Sequence, residues 1–458
     1  MYGFSYRRIL TALLIITGLS LQSCSDGLTD LERIKQRGEL RVAMLAQPPM
    51  FFPDESALRG LDFQIVETYA DSIGVSLDII VAKTLEELYE LIRKEKVDIA
   101  ITDSVPQPID IEKIHASIPY NTNQWYVIGN RKNPSPDKIQ DISPGRIFVA
   151  ADSAPAQVLR ELQKKHMSLY WSEIPGSNNR KILENINKGF LPLTLINEDV
   201  YTYYRHLYPE LSIALELNIS YPSFWLTLHD RDKSLIQSID VFLGKFSRSN
   251  KLKRLREIYF RHLNAPQYVD NTYFLERIQS LLPQYYSLFE KAAKEYSFDK
   301  RFLAAVSYQE SHWNEKAVSM TGVTGLMMLT QETAKRVGIE DRTDPEQSVM
   351  GGAKYLDIIK DSLPKKINEP DRSWMTLAAY NIGLGHLEDA RVITQKMGDD
   401  PNLWIDVEKH LPKLSQKKWY SQTKFGYARG HEPVSFVKRV HRYFDILRLY
   451  EQEELLKN

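Results

Sequence analysis

Apolar residues change rhythm twice along this chain. A first run, Ile9 to Leu21, is almost unbroken and follows Arg7 and Arg8. From Gly38 to about Leu228 short β-rich runs take over: Leu40–Leu45, Leu77–Val81, Val97–Ile101, Trp125–Gly129, Ile147–Ala150, Leu193–Ile196 and Phe224–Leu228. Runs of this length and composition read as strands. Helical stretches separate several of them. Thr84 and Glu87 have capping-box spacing, so a helix is expected over Leu85–Lys94. Strand and helix in alternation predict an α/β domain with a largely parallel sheet. Lys251 to His262 reads as a basic helix and Asn264-Ala-Pro266 as a linker. From Asn271 onward the β-rich runs stop, and Leu281, Tyr285, Leu288, Ala292 and Tyr296 fall at helical spacing. The expected units are a signal peptide over 1–23, an α/β domain over 24–266 and a mainly α domain over 267–458.

Composition narrows the possible chemistry. The 458 residues exceed one ordinary core, since ~150 residues per domain gives about three units. Lys+Arg and Asp+Glu balance at 59 each, so no basic nucleic-acid face is expected. Cys24 is the single cysteine, which removes disulfide frameworks and multi-Cys zinc sites. The run before it has the form of an export signal and is too short for an ordinary membrane span. Leu21-Gln22-Ser23-Cys24 resembles a bacterial lipoprotein box. That resemblance implies lipidation at Cys24, and Ser25 after it implies the periplasmic face of the outer membrane. An ordinary secretory signal with an incidental cysteine is the alternative.

Four front motifs stand in order: Gly38-Glu-Leu-Arg-Val-Ala43, Gly60-Leu-Asp-Phe63, Val97-Asp-Ile-Ala-Ile-Thr102 and Ser117-Ile-Pro-Tyr120. Together they resemble family 3 periplasmic solute-binding proteins, over about 40 to 262. The resemblance implies two α/β lobes with a ligand cleft between them. Amino-acid binders of that family carry an Arg before the Ser-x-Pro-Tyr element, where this chain has Asp110. Asp cannot clamp a carboxylate as a guanidinium does, so amino-acid transport of the usual kind is not expected. Glu198 is a candidate partner for a ligand ammonium group, or simply an acidic surface residue.

In the back half, Asp299 is a plausible helix N-cap. On the helix it opens, Leu303, Val306, Glu310 and Trp313 share one stripe. Glu310 thus stands where the pattern calls for an apolar residue. An unpaired carboxyl there is desolvated, which raises its pKa and suits a general acid. A Glu hydrogen-bonded by the following loop is the other reading. His431-Glu432 lacks the second His of a zincin site, and Asn381-Ile-Gly383-Leu-Gly385 lacks the third glycine of a dinucleotide loop.

The surrounding motifs are Gln309-Glu-Ser-His-Trp-Asn314, Gly322-Val-Thr-Gly325-Leu-Met-Met-Leu-Thr330, Ala378-Ala-Tyr-Asn-Ile-Gly383-Leu-Gly385, Phe425-Gly-Tyr-Ala-Arg-Gly430 and Glu432-Pro-Val-Ser-Phe-Val437. They resemble the Slt-type lytic murein transglycosylases, over about 270 to 445, and imply a lysozyme-like fold. With its front half, the whole chain resembles the membrane-bound lytic murein transglycosylase F family. By that resemblance Glu310 matches the catalytic acid. Ser319, Gly325, Met327, Tyr380, Asn381 and Tyr427 match substrate-binding positions, with Leu326 in the same cleft-lining segment. Met328 replaces the usual Gln, and a thioether donates no hydrogen bond.

The resemblance implies cleavage of the bond between N-acetylmuramic acid and N-acetylglucosamine in peptidoglycan, ending in a 1,6-anhydro ring. It implies no cofactor and no metal. The expected partners are glycan strands, a muropeptide or amino acid at the front domain, and an outer-membrane lipid anchor, with no nucleic acid. Two alternatives stay open: a lipid-anchored sensor that grips glycan without cutting it, and a hydrolytic lysozyme-type glycosidase.

Overall fold

The computed structural model describes residues 27–455 apart from 54–57, 103–113, 229–231, 250, 261–262, 264–267 and 320–321. The signal peptide, Cys24, Asp110 and the Asn264–Pro266 linker lie outside the described residues.

The front half is built on one nine-stranded sheet, in the spatial order β2-β1-β3-β9-β5-β8-β6-β7, with β4 beside β9. The strands are β1 (Glu39–Leu45), β2 (Ser76–Ala82), β3 (Ile99–Thr102), β4 (Ile114–Ala116), β5 (Asn121–Asn130), β6 (Ile147–Ala150), β7 (Trp171–Ile174), β8 (Leu193–Asn197) and β9 (Leu211–Leu228). All seven apolar runs are strands. The sheet is less parallel than the alternation suggested. β2, β1 and β3 run parallel, as do β8, β6 and β7, but β9 pairs antiparallel with β3, β4 and β5. Strand β9 is 18 residues long, and only its last stretch was legible as a strand. Its first part joins β5 and its last part joins β3, so it carries the chain between two lobes. Two register shifts, at Ile213/Leu215 and Glu216/Ser220, let one strand serve both.

Helices α1 (Leu61–Ile73) and α2 (Leu85–Arg93) flank the first lobe, and α3 (Glu198–Tyr204) the second. Thr84 Oγ1 caps α2 by accepting from Glu87 N at 3.1 Å. The Glu87 carboxylate accepts from Lys83 N at 2.8 Å, one residue before the position of a strict capping box. Two of the quoted motifs meet in space, where Tyr120 donates to buried Asp62 at 2.8 Å. Glu198 is exposed, and its neighbour Asp199 is the buried acid.

Helix α4 (Lys251–Phe260) ties the parts together. Arg256 grips Asp199 through both nitrogens, at 2.7 and 3.0 Å, and also reaches Asn121. Tyr259 accepts from Gly60 N at 3.1 Å. On the same helix Arg254 pairs with Asp406 at 3.2 Å, in the back half.

The back half is helical as expected: α5 (Tyr268–Ser280), α6 (Leu282–Tyr296), α7 (Lys300–Ser311), α8 (Pro345–Ser362), α9 (Asp371–Ile382), α10 (Trp404–His410) and α11 (His431–Leu455), with further helices between. Phe274, Tyr308 and Tyr443 pack as a ring cluster at the centre of α5, α7 and α11, with centroids 4.4–4.8 Å apart. One apolar core runs from the first lobe through Tyr204 and Phe260 into this cluster. No helix among the described residues is long and apolar enough to cross a membrane.

Candidate active site

Helix α7 carries the acid. Asp299 caps its start, accepting from Arg301 N at 2.8 Å. The helix stops because His312 and Trp313 both take positive φ, 53° and 56°. Trp313 therefore leaves the stripe on which its spacing placed it. Its side chain turns back and is fully buried, donating to Ala304 O at 2.9 Å. Leu303 and Val306 are wholly buried on the face that Glu310 shares.

Glu310 keeps an opening to solvent, while protein crowds its carboxyl. Burial alone pushes that carboxyl up to about 8. No hydrogen bond or ion pair reaches it among the described residues, so the following loop does not hold it. It lines a recess of about 420 Å³ with Gln309, Asn381, Ser435, Phe436 and Arg439, and with His431 and Glu432 at the mouth of α11. Glu432 is a second carboxyl in the recess, but it is exposed and paired with Arg429 at 3.2 Å.

The Gly325-Leu-Met segment lies beneath the recess and is clamped from three helices. Ser307 and Ser311, both on α7, donate to Leu326 O at 3.0 and 2.9 Å. Ser348 on α8 accepts from Met327 N at 3.1 Å, and Tyr380 on α9 donates to Met327 O at 2.8 Å. Gly325 has φ +82°, and a Cβ there would sit 1.9 Å from Arg342 O. Only glycine fits. Met327 is fully buried against Gly352, which corrects the expectation that it touches sugar. Gly325 is buried too, so both residues support the site from below.

Tyr380 stands behind the acid and stacks near Phe436, centroids 6.4 Å apart. Burial holds its hydroxyl well above the usual phenol range, and the charge of Glu310 pushes the same way. Asn381 projects from the exposed side of α9 into the recess. Ser319 and Tyr427 lie outside that lining. Ser319 shapes a turn, its Oγ accepting from Val323 N at 3.2 Å. Tyr427 is 57% exposed, edge-on to Tyr420. Trp374 and Trp404 are buried, so they serve the core and offer no platform.

Residues 287–402 match the Transglycosylase SLT domain, and residues 40–262 match the bacterial extracellular solute-binding proteins, family 3. A membrane-bound lytic murein transglycosylase F of Pseudomonas fluorescens is 39% identical over 445 residues, which is 96% of this chain and 92% of that one. The chain belongs to the membrane-bound lytic murein transglycosylase F family. The relative of that name in Stutzerimonas stutzeri is 38% identical over 441 residues, 95% of this chain and 90% of its own. Among solved structures, the amino acid ABC transporter substrate-binding protein AbpA of Streptococcus pneumoniae has a TM-score of 0.45 and 18% identity. It covers 51% of this chain and 100% of its own.

Sequence reasoning missed Gln309, His431, Glu432, Ser435, Phe436 and Arg439 as residues lining the recess of Glu310. A signal was present. His431, Ser435 and Arg439 stand four apart, which gives a polar stripe along the first turns of α11.

Glu310 has a consequence for stability. Its proton is released near 4.5 in the unfolded chain but held to about 8 in the fold. The native state thus binds more protons across that window, and stability falls as pH rises through it. Glu310→Gln removes the titration. The variant should gain on the wild type between pH 5 and pH 8, by on the order of 2–4 kcal/mol at the upper end. Denaturant unfolding at both pH values measures this, and a pH-independent difference would contradict the dry carboxyl.

Proposed function

We propose that Glu310 is the single acid–base residue with which this lytic transglycosylase cleaves peptidoglycan. The catalytic unit spans 267–458 and the non-catalytic front unit 24–266. One observation carries the reading: a carboxyl kept protonated near neutral pH by burial, unpaired, and open to a recess lined by Asn381, Ser435 and Arg439. Protonated Glu310 gives its proton to the glycosidic oxygen between N-acetylmuramic acid and N-acetylglucosamine as the C1–O bond breaks. The muramoyl acetamido group assists at C1. Ionised Glu310 then takes the proton of the C6 hydroxyl, whose oxygen closes on C1 to give the 1,6-anhydro end. Burial acts on Glu310, whereas Glu432 stands exposed at the mouth of the recess in an ion pair with Arg429. Asn381 lies on the wall of the recess to meet substrate, while Tyr380 supports the acid from behind.

Mass spectrometry of fragments released from purified sacculi tests this. The wild type should yield anhydro-muropeptides and Glu310→Gln none. The rate should fall as pH rises through about 8, as the acid loses its proton. Reducing ends would mean a hydrolase, and binding without release a sensor.

We infer that the front unit takes a muropeptide or amino acid between its lobes. What supports this is the two-lobed sheet with buried Asp62 and Asp199 facing Arg256. A ligand ammonium using Asp199 must displace Arg256, and so loosen α4 from the second lobe. A muropeptide panel should raise the melting temperature of the wild type. Arg256→Met should itself be less stable by about 2–4 kcal/mol, because Asp199 is left buried without its partner. No shift with any muropeptide would end the ligand reading.

We also infer that a lipid on Cys24 tethers the protein at the periplasmic face of the outer membrane, supported by the lipoprotein-box resemblance. Cys24→Ser should move the protein from the outer-membrane fraction to the soluble periplasm. An unchanged distribution would exclude the anchor.

A further inference from the structure

Arg439 is the cation of the catalytic recess. It lies on α11, two turns from the helix start, and its guanidinium lines the same wall as Glu310. Its Nε donates to Gln309 Oε1 at 2.8 Å. Gln309 precedes Glu310 on α7, so this bond couples the arginine to the acid's own helix. No carboxylate among the described residues closes on its two terminal nitrogens. Two buried arginines of the back half are engaged by acids, Arg301 by Asp299 at 2.6 Å and Arg391 by Glu388 at 2.7 Å, and Arg372 spends both terminal nitrogens on backbone carbonyls. The partner of Arg439 is neutral and takes only the Nε side.

A guanidinium anchored through Nε presents its outer edge as a planar fork, the geometry that matches a carboxylate bidentately. Arg439 bonds to Gln309 and not to Glu310, whose raised pKa comes from burial. Murein supplies anions at this point. Every muramic acid bears a lactyl carboxyl at C3, free in peptide-stripped strands and otherwise amide-linked to a stem peptide with carboxylates of its own.

We propose that Arg439, aimed by Gln309, is a specificity-determining residue that docks a carboxylate of the muramoyl unit and so seats the scissile bond against Glu310. This rests on the reading of Glu310 as the acid, and it adds a substrate feature that the acid does not recognise. Hydrogen-bonding neutral sugars alone would need no free cation in the recess.

The test uses the full chain with Arg439→Met and Arg439→Lys, beside Glu310→Gln. Steady-state kinetics are measured on soluble peptide-bearing strands and on amidase-stripped strands. Binding is measured to a chitooligosaccharide, which has no carboxylate. Arg439→Met should raise KM by about ten- to a hundred-fold, the loss expected for a charge-assisted pair, with kcat falling far less. Arg439→Lys should recover part of that loss, since it keeps the charge but not the fork. Chitooligosaccharide affinity should stay within two-fold of the wild type. A KM effect confined to peptide-bearing strands assigns the stem-peptide carboxylate, and one confined to stripped strands assigns the lactyl group. Unchanged KM on both strands overturns the proposal, as does equal weakening of all three sugars, which would mark Arg439 as structural. Full activity in Glu310→Gln would instead remove the acid itself, an outcome separable from any Arg439 result.

Discussion

One carboxyl kept dry is the constraint on which the catalytic half depends. A glutamic acid ionises in water near 4.5, and only the removal of water around Glu310 carries it to about 8. Removing water without supplying a partner is costly, and the surrounding structure is arranged to sustain it. Leu303 and Val306 make the face of α7 apolar. The buried Gly325–Met327 segment packs beside α7, and hydrogen bonds from α7, α8 and α9 hold it there. Tyr380 spends its hydroxyl on Met327 O instead of on the acid. A hydrogen bond donated to Glu310 from that position would have stabilised the ionised form and worked against the burial.

The polar groups around the acid divide into two populations. Those below it are fully engaged: two serines share one carbonyl, a third serine takes an amide, and a tyrosine takes the next carbonyl. Those on the open wall are only partly engaged. Asn381 and Ser435 face the recess, and Arg439 offers all but one of its donor nitrogens. Satisfied groups give rigidity and uncommitted groups are available for recognition, the division a preorganised site requires.

The front half is tied to this arrangement through α4. Three residues within two turns reach three different bodies: Arg254 the back half, Arg256 the second lobe and Tyr259 the first. The buried core is continuous across the same junction. A rearrangement of the lobes that moves Asp199 therefore pulls on a helix that also touches α10.

Much of this was legible in the residues. Apolar runs of strand length located seven strands, because burial on a sheet needs that pattern wherever the sheet sits. The end of the β-rich runs marked off the sheet-bearing half from the helical one, whose first helices begin at Ser234 and Lys251. A glutamate in an apolar helical register marked Glu310, since a helix fixes which residues share a face. Other features depended on contacts distant in sequence. Strand β9 hides its first part in a mixed polar run, because one strand serving two lobes meets different environments along its length. Trp313 left its stripe when two residues took positive φ, a local reversal that periodicity cannot register. Met327 and Gly325 sit under the cleft and not in it, which depends on how α8 and α9 approach. Asp199, not Glu198, became the buried acid because Arg256 arrives from 57 residues away. Arg439 meets Gln309 across 130 residues. The sequence by itself determined which segments become helices or strands and which carboxyl is out of place. The tertiary structure alone decided which polar groups find partners and which stay free for substrate, because that depends on which helices pack together.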